Sequence, residues 1–550
     1  LTNHPLMTTW IFISFLTFTA FAAGLTWLIT RRDERSSSDG FFLGGRSLTF
    51  PIIAGSLLLT NLSTEQMVGL NGMAFTDGLS VMAWEVVAVL ALIVMTLFFL
   101  PKFLKGGITT VPQFLELRYD RFTQSIANFI FLIAYAFLLL PIILYSGAVG
   151  LSHMMDLQAL TGIDEPISLF GNVIAPETII LWLTVFVIGV LGLLYSRFGG
   201  LRTLAVLDTI NGVGLLVGGM TIAYFALNKV SGGEGIIEGW SILREAAPER
   251  LSSIGKSDQS VPFSTLFTGV ALLNLFYWCT NQQIIQRTLG ARNLAEGQKG
   301  VLLTAGLKLL GPIYLVVPGI IAYHLYKDTG IGADLAYGKL VFDVLPAPLT
   351  GVFAAVMVGA ILSSFNAGLN STSALFSIGL YKHIINPQGS EQQMVRAAKV
   401  FVVSIAIMAM LIAPVLAGQD SIFKYLQKMN GLYFIPIFAV VVVGLLNRRV
   451  PAVAGRVGLI TGIVVIGLGY FDPFCASALS KAGIHEFHFL GLVFALIVGL
   501  MLAIGAVSPR KEPWQIVYTN EVDLTPWGGA KWVSLILFML VIAIYVFFAS

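Results

Sequence analysis

The chain is 550 residues long, 56% hydrophobic and only 11% charged, with a mean hydropathy of +0.85 and a formal net charge of +3. Soluble domains carry about 25% charged residues, so a water-exposed surface over this length is excluded, and the small net charge gives no reason to expect nucleic acid as a partner. Apolar runs of about 20 residues, enough to span a bilayer, recur along the whole chain and predict an all-α membrane protein.

The first run, about residues 7–30, is longer than a signal-peptide core, and its positive charges (Arg31, Arg32 and Arg35) follow it instead of preceding it. It reads as a retained first helix with its N-terminus outside. Thirteen further runs follow, at roughly 49–75, 78–100, 123–150, 178–196, 202–228, 264–285, 300–325, 348–380, 397–417, 430–447, 453–470, 487–507 and 532–549. About 14 transmembrane helices result. The loops after the odd-numbered runs hold 22 of the 32 Lys and Arg residues and the opposite loops hold 9, with Lys308 inside a run. This asymmetry places the first set in the cytoplasm and both termini outside. The polar stretch from about Lys229 to Pro262 reads as an external loop with a short helix. Cys279 and Cys475 lie far apart in or beside apolar runs, so neither a disulfide nor a thiolate metal site is implied.

Two runs are interrupted by polar residues. The second contains Thr60-Asn61-Leu62-Ser63-Thr64-Glu65-Gln66, flanked by Gly55, Gly69 and Gly72. The seventh contains Asn274, Thr280, Asn281, Gln282 and Gln283. Polar groups at such positions can glue intact helices together. Two interruptions five runs apart fit instead a five-plus-five inverted repeat, with the first helix of each repeat broken at the midplane to line a cavity.

Ionisable residues inside membrane spans are costly and mark function. Glu85 lies about 10 Å into the third run and Lys308 about 13 Å from the cytoplasmic end of the eighth, at 1.5 Å per residue. That depth is too great for Lys308 to snorkel, so it calls for a polar cavity or a carboxylate partner. Glu65 and Asp208 complete the set, and Asp208 suits a structural pair as well as a role in ion passage. A sugar offers many hydroxyls and no charge. Gln66, Glu85, Asn274, Lys308 and Gln427, with the Tyr277 ring, form a matching set of amides, acceptor, cationic donor and aromatic face, although other polar solutes would also fit. In the ninth run, Ser363-Ser364 offers hydroxyl oxygens of the kind hard cations take; such serines also bond to their own helix backbone.

These segments together resemble the sodium/solute symporters, and within them the sodium/glucose branch, closest to the bacterial sodium/galactose symporters. The likeness runs from Phe41-Phe42-Leu43-Gly44-Gly45-Arg46-Ser47 to the last run. It is strongest at Asn61–Gln66, Asn274–Trp278, Ile284–Leu289 and Leu369–Thr372, and Gly199-Gly200-Leu201 also fits, with Thr203 in place of a small residue. The resemblance implies a LeuT-type core, with Gln66, Glu85, Asn274, Lys308, Gln427 and Asn61 binding the sugar. It further implies Tyr277 as the inner gate and Leu70, Trp84 and Phe423 as the outer gate. The coupling ion, Na+, would be held by the carbonyls of Leu59, Leu62 and Ala360 and the hydroxyls of Ser363 and Ser364, with Asp208 on the ion's exit route. Ala88 stands where the galactose symporters have a serine, so one hydroxyl contact to the sugar is missing.

The expectation is therefore a sodium-coupled sugar symporter of a bacterial inner membrane, working by alternating access, with inositol, sialic acid or an amino acid as alternative solutes. An enzyme is not expected, because His153, His324, His383, His485 and His488 fall near span ends or in loops and His4 is terminal. The expected division is 1–48 for the first helix and its loop, 49–228 for the first repeat and 229–263 for the external loop. The second repeat takes 264–447, and three additional helices take 448–550.

Overall fold

The computed structural model describes residues 4–30, 46–108, 110–169, 172–198, 201–417, 421–519 and 522–549. Arg31, Arg32, Arg35, the stretch from Phe41 to Gly45 and the pair Gly199-Gly200 lie outside them. Backbone polar groups in a bilayer must be satisfied within the protein, and these apolar runs meet that demand as helices. Eleven helices among the described residues are long and apolar enough to cross a membrane. One of them, Thr64–Lys105, has 42 residues, twice a span's length, and divides at Gly78, whose φ of +78° ends a helix. A further crossing is the pair Leu294–Lys308 and Gly311–Tyr326, bent by 51°. The short apolar helices Phe50–Asn61 and Gly269–Cys279 open the second and seventh crossings. With the long helix divided at Gly78 and each broken or bent pair counted once, the described helices correspond to the fourteen apolar runs of the sequence, with shifted ends.

The elements around the interruptions carry the function: α1 (Phe50–Asn61), α2 (Thr64–Asp77), α3 (Ala83–Val94), α4 (Leu201–Val230), α5 (Gly269–Cys279), α6 (Gln282–Leu289), α7 (Leu294–Lys308), α8 (Ala333–Val344), α9 (Ala347–Ala374) and α10 (Ile422–Leu446). α1 packs along α4, α7 and α9; α2 packs along α8 and α10; α5 packs along α3 and α10. Outer helices turn Phe186, Val213, Val217, Leu535 and Met539 outward, which is the side-chain distribution a lipid solvent favours.

Local chemistry fixes both breaks. Asn61 and Ser63 are residues whose side chains compete with helical bonding. Leu62 leaves helical geometry at ψ 63°, Ser63 is extended, and the Ser63 N–H donates to the Asn61 carbonyl at 2.8 Å. At the seventh crossing, α5 ends at Cys279 and the Asn281 side chain caps α6 by accepting from the Gln283 N–H at 3.0 Å.

Two features depart from the sequence expectation, and a third, the short helix expected after the sixth crossing, is present. The eighth crossing starts at Leu294, earlier than position 300, and bends after Lys308, where Gly311-Pro312 starts a new helix. A two-stranded hairpin, Ile167–Leu169 with Asn172–Ile174, sits between the fourth and fifth crossings. The segment after the sixth crossing forms the helix Ile236–Ala246 and then folds back on the bundle, where Arg250 donates to the carbonyls of Phe75 and Thr76 at 2.9 and 3.0 Å.

Arg118 shows how the bundle is tied. It is fully buried and donates to the carbonyls of Gly444, Asn447 and Val450 at 2.8, 2.7 and 3.1 Å, closing the C-terminal end of α10. Hydrogen bonds to charged groups contribute about 1.5–3 kcal/mol each. Arg118→Met should therefore lower the thermal unfolding midpoint of the purified protein by several degrees. An unchanged midpoint would show that water satisfies these carbonyls.

Candidate functional site

A cavity opens where the two interruptions face each other. Its walls include Asn61, Glu65 and Gln66 from the second crossing, Asn274, Tyr277, Asn281 and Gln283 from the seventh, and Gln427 and Asn430 from α10. Amides dominate because both breaks are built from Asn and Gln. Asn430 donates to Gln427 Oε1 at 3.0 Å and accepts from the Tyr433 hydroxyl at 3.0 Å, while Asn274 bonds back to the Val270 carbonyl at 3.0 Å. Tyr277 presents its ring to the cavity beside Trp278 and Phe434, with ring centroids 5.3 and 6.4 Å away.

Lys308 has the carboxylate partner that its depth called for, and that partner is Glu85. Both are fully buried and form an ion pair in which Lys308 bonds to the two carboxylate oxygens and to Asn61 Oδ1. All three ammonium protons are thereby used. Asn61, on the cavity wall, is the residue that joins this pair to the solute space. Gly311 makes room for it, since a Cβ there would lie 2.5 Å from the Glu85 carboxylate. Ala88, also fully buried, adds no polar group.

Aromatic rings pack behind the cavity wall at Trp84. Trp84 meets Phe423 and Phe487 edge-on at 5.8 and 5.5 Å, and α2 approaches so closely that a Cβ on Gly69 would lie 2.6 Å from Phe423. Leu70 is fully buried in the same apolar cluster. Asp334 on α8 accepts from the Ile422 N–H that starts α10 at 2.9 Å. Burial pushes its carboxyl up to about 6. Sequence reasoning missed Asp334 because nothing in the local pattern shows that the start of α8 meets the start of α10. It also missed Asn430, which the spacing from Gln427 puts on the same helix face.

Beside the cavity, Asp208 on α4 joins three elements. It accepts from Ser56 Oγ of α1 at 3.0 Å and from Ser363 Oγ of α9, and it pairs with Arg287 of α6 at 3.5 Å. All four side chains are buried. Ser363 is thus engaged by Asp208. Ser364 Oγ is buried and without a hydrogen-bond partner among the described residues. The Ser364 carbonyl accepts from the Gln283 side chain at 3.1 Å. Leu59 and Leu62 lie in the last turn of α1 and in the break, where helix carbonyls lose their amide partners. α1 packs along α9, where Ala360 is also buried.

A family model for the sodium:solute symporters matches residues 41–175 and 178–462. The chain belongs to the sodium:solute symporter family. An uncharacterized symporter of Escherichia coli, YidK, is 42% identical over 97% of this chain and 90% of its own length. The sodium/glucose cotransporter of Vibrio parahaemolyticus is 31% identical over 94% of each chain, and the human sodium/myo-inositol cotransporter 2 is 26% identical over 88% of this chain and 74% of its own. Among solved structures, a Na+-coupled sialic acid symporter superposes with a TM-score of 0.73 at 20% identity, covering 92% of this chain and 99% of that one. Mhp1, a nucleobase-cation-symport-1 transporter, superposes at 0.55. This symporter is accordingly a multi-pass integral membrane protein with the LeuT-type inverted-repeat core, and a transporter, not an enzyme. Its coupling ion is sodium.

The buried pair makes a testable demand. Removing one partner of a buried ion pair costs about 3–5 kcal/mol, whereas replacing both is often neutral. Lys308→Met should markedly lower thermal stability in detergent, and the double variant Lys308→Met/Glu85→Gln should recover most of the loss. A single variant as stable as the parent would mean that water reaches the pair.

Proposed function

We propose that this symporter carries a small neutral sugar or sugar-like polyol inward by alternating access. The observation that carries the reading is the charge state of the cavity wall. Among the described residues no Lys or Arg lines it, because Lys308 is spent on Glu85 and Asn61. Sialic acid and amino acids carry a carboxylate that would want a free cation, whereas a sugar needs amides and an aromatic face. The names of the Vibrio and human relatives support the same class. Ala88 removes one hydroxyl from the wall, so the preferred sugar follows from the remaining amides.

In this reading Gln66, Asn61, Asn274 and Gln427 bond the sugar directly, Tyr277 covers it from the inner side, and Leu70, Trp84 and Phe423 close the outer side. Glu85 and Lys308 act through Asn61, or reach the sugar when the pair opens. Sodium sits on the carbonyls of Leu59, Leu62 and Ala360 with Ser363 and Ser364, and leaves past Asp208. Sodium drives the cycle only through its differential affinity for the two states, and each inward charge gains about 2.3 kcal/mol per 100 mV. The division into repeats at 49–228 and 264–447, flanked in sequence by the first helix and its loop at 1–48 and by three additional helices at 448–550, with 229–263 as the external loop, fits the two breaks. The charge asymmetry of the loops puts both termini outside a bacterial inner membrane.

Counterflow in proteoliposomes tests the solute, with labelled galactose, glucose, myo-inositol and sialic acid in sodium against potassium. Sodium-dependent exchange of a neutral sugar or polyol is expected, and exchange of sialic acid alone would reverse the reading. The ion site is tested separately. Ser364→Ala should raise the sodium concentration for half-maximal uptake severalfold while sugar exchange at saturating sodium persists. An unchanged sodium titration would place the ion elsewhere.

A further inference from the structure

The carboxyl that faces the solute space with a free oxygen is Glu65, not Glu85. Glu85 has both oxygens taken by Lys308 and lies behind the wall. Glu65 lines the cavity, is only 7% exposed, and its Oε2 has no hydrogen-bond partner among the described residues. A carboxylate in the first turn of α2 is favoured by the helix dipole, which explains why it is tolerated there. The dipole leaves Oε2 without a donor. Two neighbours on the same wall share this condition: Gln66 Oε1 and Trp84 Nε1 are also buried and unpartnered. Unsatisfied polar atoms are rare in native interiors and ask for an explanation. Three of them on one small cavity amount to a recognition pattern of two acceptors and one donor.

We propose that Glu65 is a solute-binding residue and a specificity determinant, accepting a hydrogen bond from a solute hydroxyl while the indole N–H of Trp84 donates to a solute oxygen. A hydroxyl serves both roles, which is why a polyol matches the set. Trp84 then does more than close the outer end, since its ring packs on Phe423 while its N–H faces the solute. This inference rests on the neutral-sugar reading and sharpens it. A solute deprived of the hydroxyl that meets Glu65 should be rejected, because the carboxylate would stay buried and unpaired.

The test is sodium-dependent solute binding by calorimetry on the purified full chain, with galactose, glucose and myo-inositol as probes, alongside sodium binding without solute. Glu65→Gln keeps the shape and should weaken solute binding roughly ten- to a hundredfold, as expected for a lost charge-assisted bond, with sodium binding unchanged. Trp84→Phe keeps the ring and should weaken it about two- to tenfold, as for a neutral bond. Wild-type affinity in Glu65→Gln overturns the proposal. A parallel fall in sodium and solute binding also overturns it, assigning Glu65 to the start of α2. If the parent chain binds none of the three probes, the neutral-sugar reading itself fails and the proposal falls with it. If the parent binds one and both variants bind it equally, only the proposal fails.

Discussion

The ion pair between Lys308 and Glu85 organises the membrane-embedded half of this molecule. Two full charges taken from water cost several kcal/mol each, and their attraction offsets this only with good geometry and further hydrogen bonds. Here the further bond is Asn61 Oδ1, at the end of α1. The pair therefore connects the third crossing, the end of α7 before its bend and the break in the second crossing. Disturbing any of these disturbs the others, and the cavity wall at Asn61 registers the change.

A second buried charge cluster does the corresponding work at the other face of the break. Asp208 gathers Ser56, Ser363 and Arg287, one from each of α1, α9 and α6. Arg287 supplies the cationic partner of Asp208 away from solvent. In the proposed cycle a sodium ion between α1 and α9 shares Ser363 with this carboxylate, so the ion and Arg287 compete for the same negative charge. In that cycle Asp208 would attract the leaving ion and Arg287 would keep it from being held.

Much of the fold was legible because membrane physics writes length and polarity directly into the sequence. The fourteen crossings, both breaks and the burial of Glu85, Lys308 and Asp208 follow from apolar run lengths and the placement of Asn, Ser and Gln. The hairpin at residues 167–174 did not show, because three-residue strands leave no periodicity. The bend after Lys308 did not show either, as Gly311-Pro312 can kink a helix or begin one. At the site, residue types were readable but their partners were not. The depth of Lys308 called for a polar cavity or a carboxylate partner, and tertiary contact identifies that partner as Glu85. Glu65 was visible as an ionisable residue, yet a free oxygen is a property of three-dimensional surroundings that no local pattern carries.

The coupling of ion to solute has a short physical path. Gln283 lines the cavity and its amide donates to the Ser364 carbonyl at 3.1 Å. Ser364 is one of the hydroxyls assigned to sodium, so one side chain touches both proposed sites. A cation drawing Ser364 toward α1 would pull on this amide and fix Gln283 against the wall where the solute binds. Linkage then requires the reverse: a bound solute that holds Gln283 must raise sodium affinity by the same factor. The breaks are what allow this, because an unbroken helix would have used the freed carbonyls of α1 for its own hydrogen bonds. The cost of interrupting two helices in the membrane is thus offset by the groups it releases, which serve ion, solute and the connection between them.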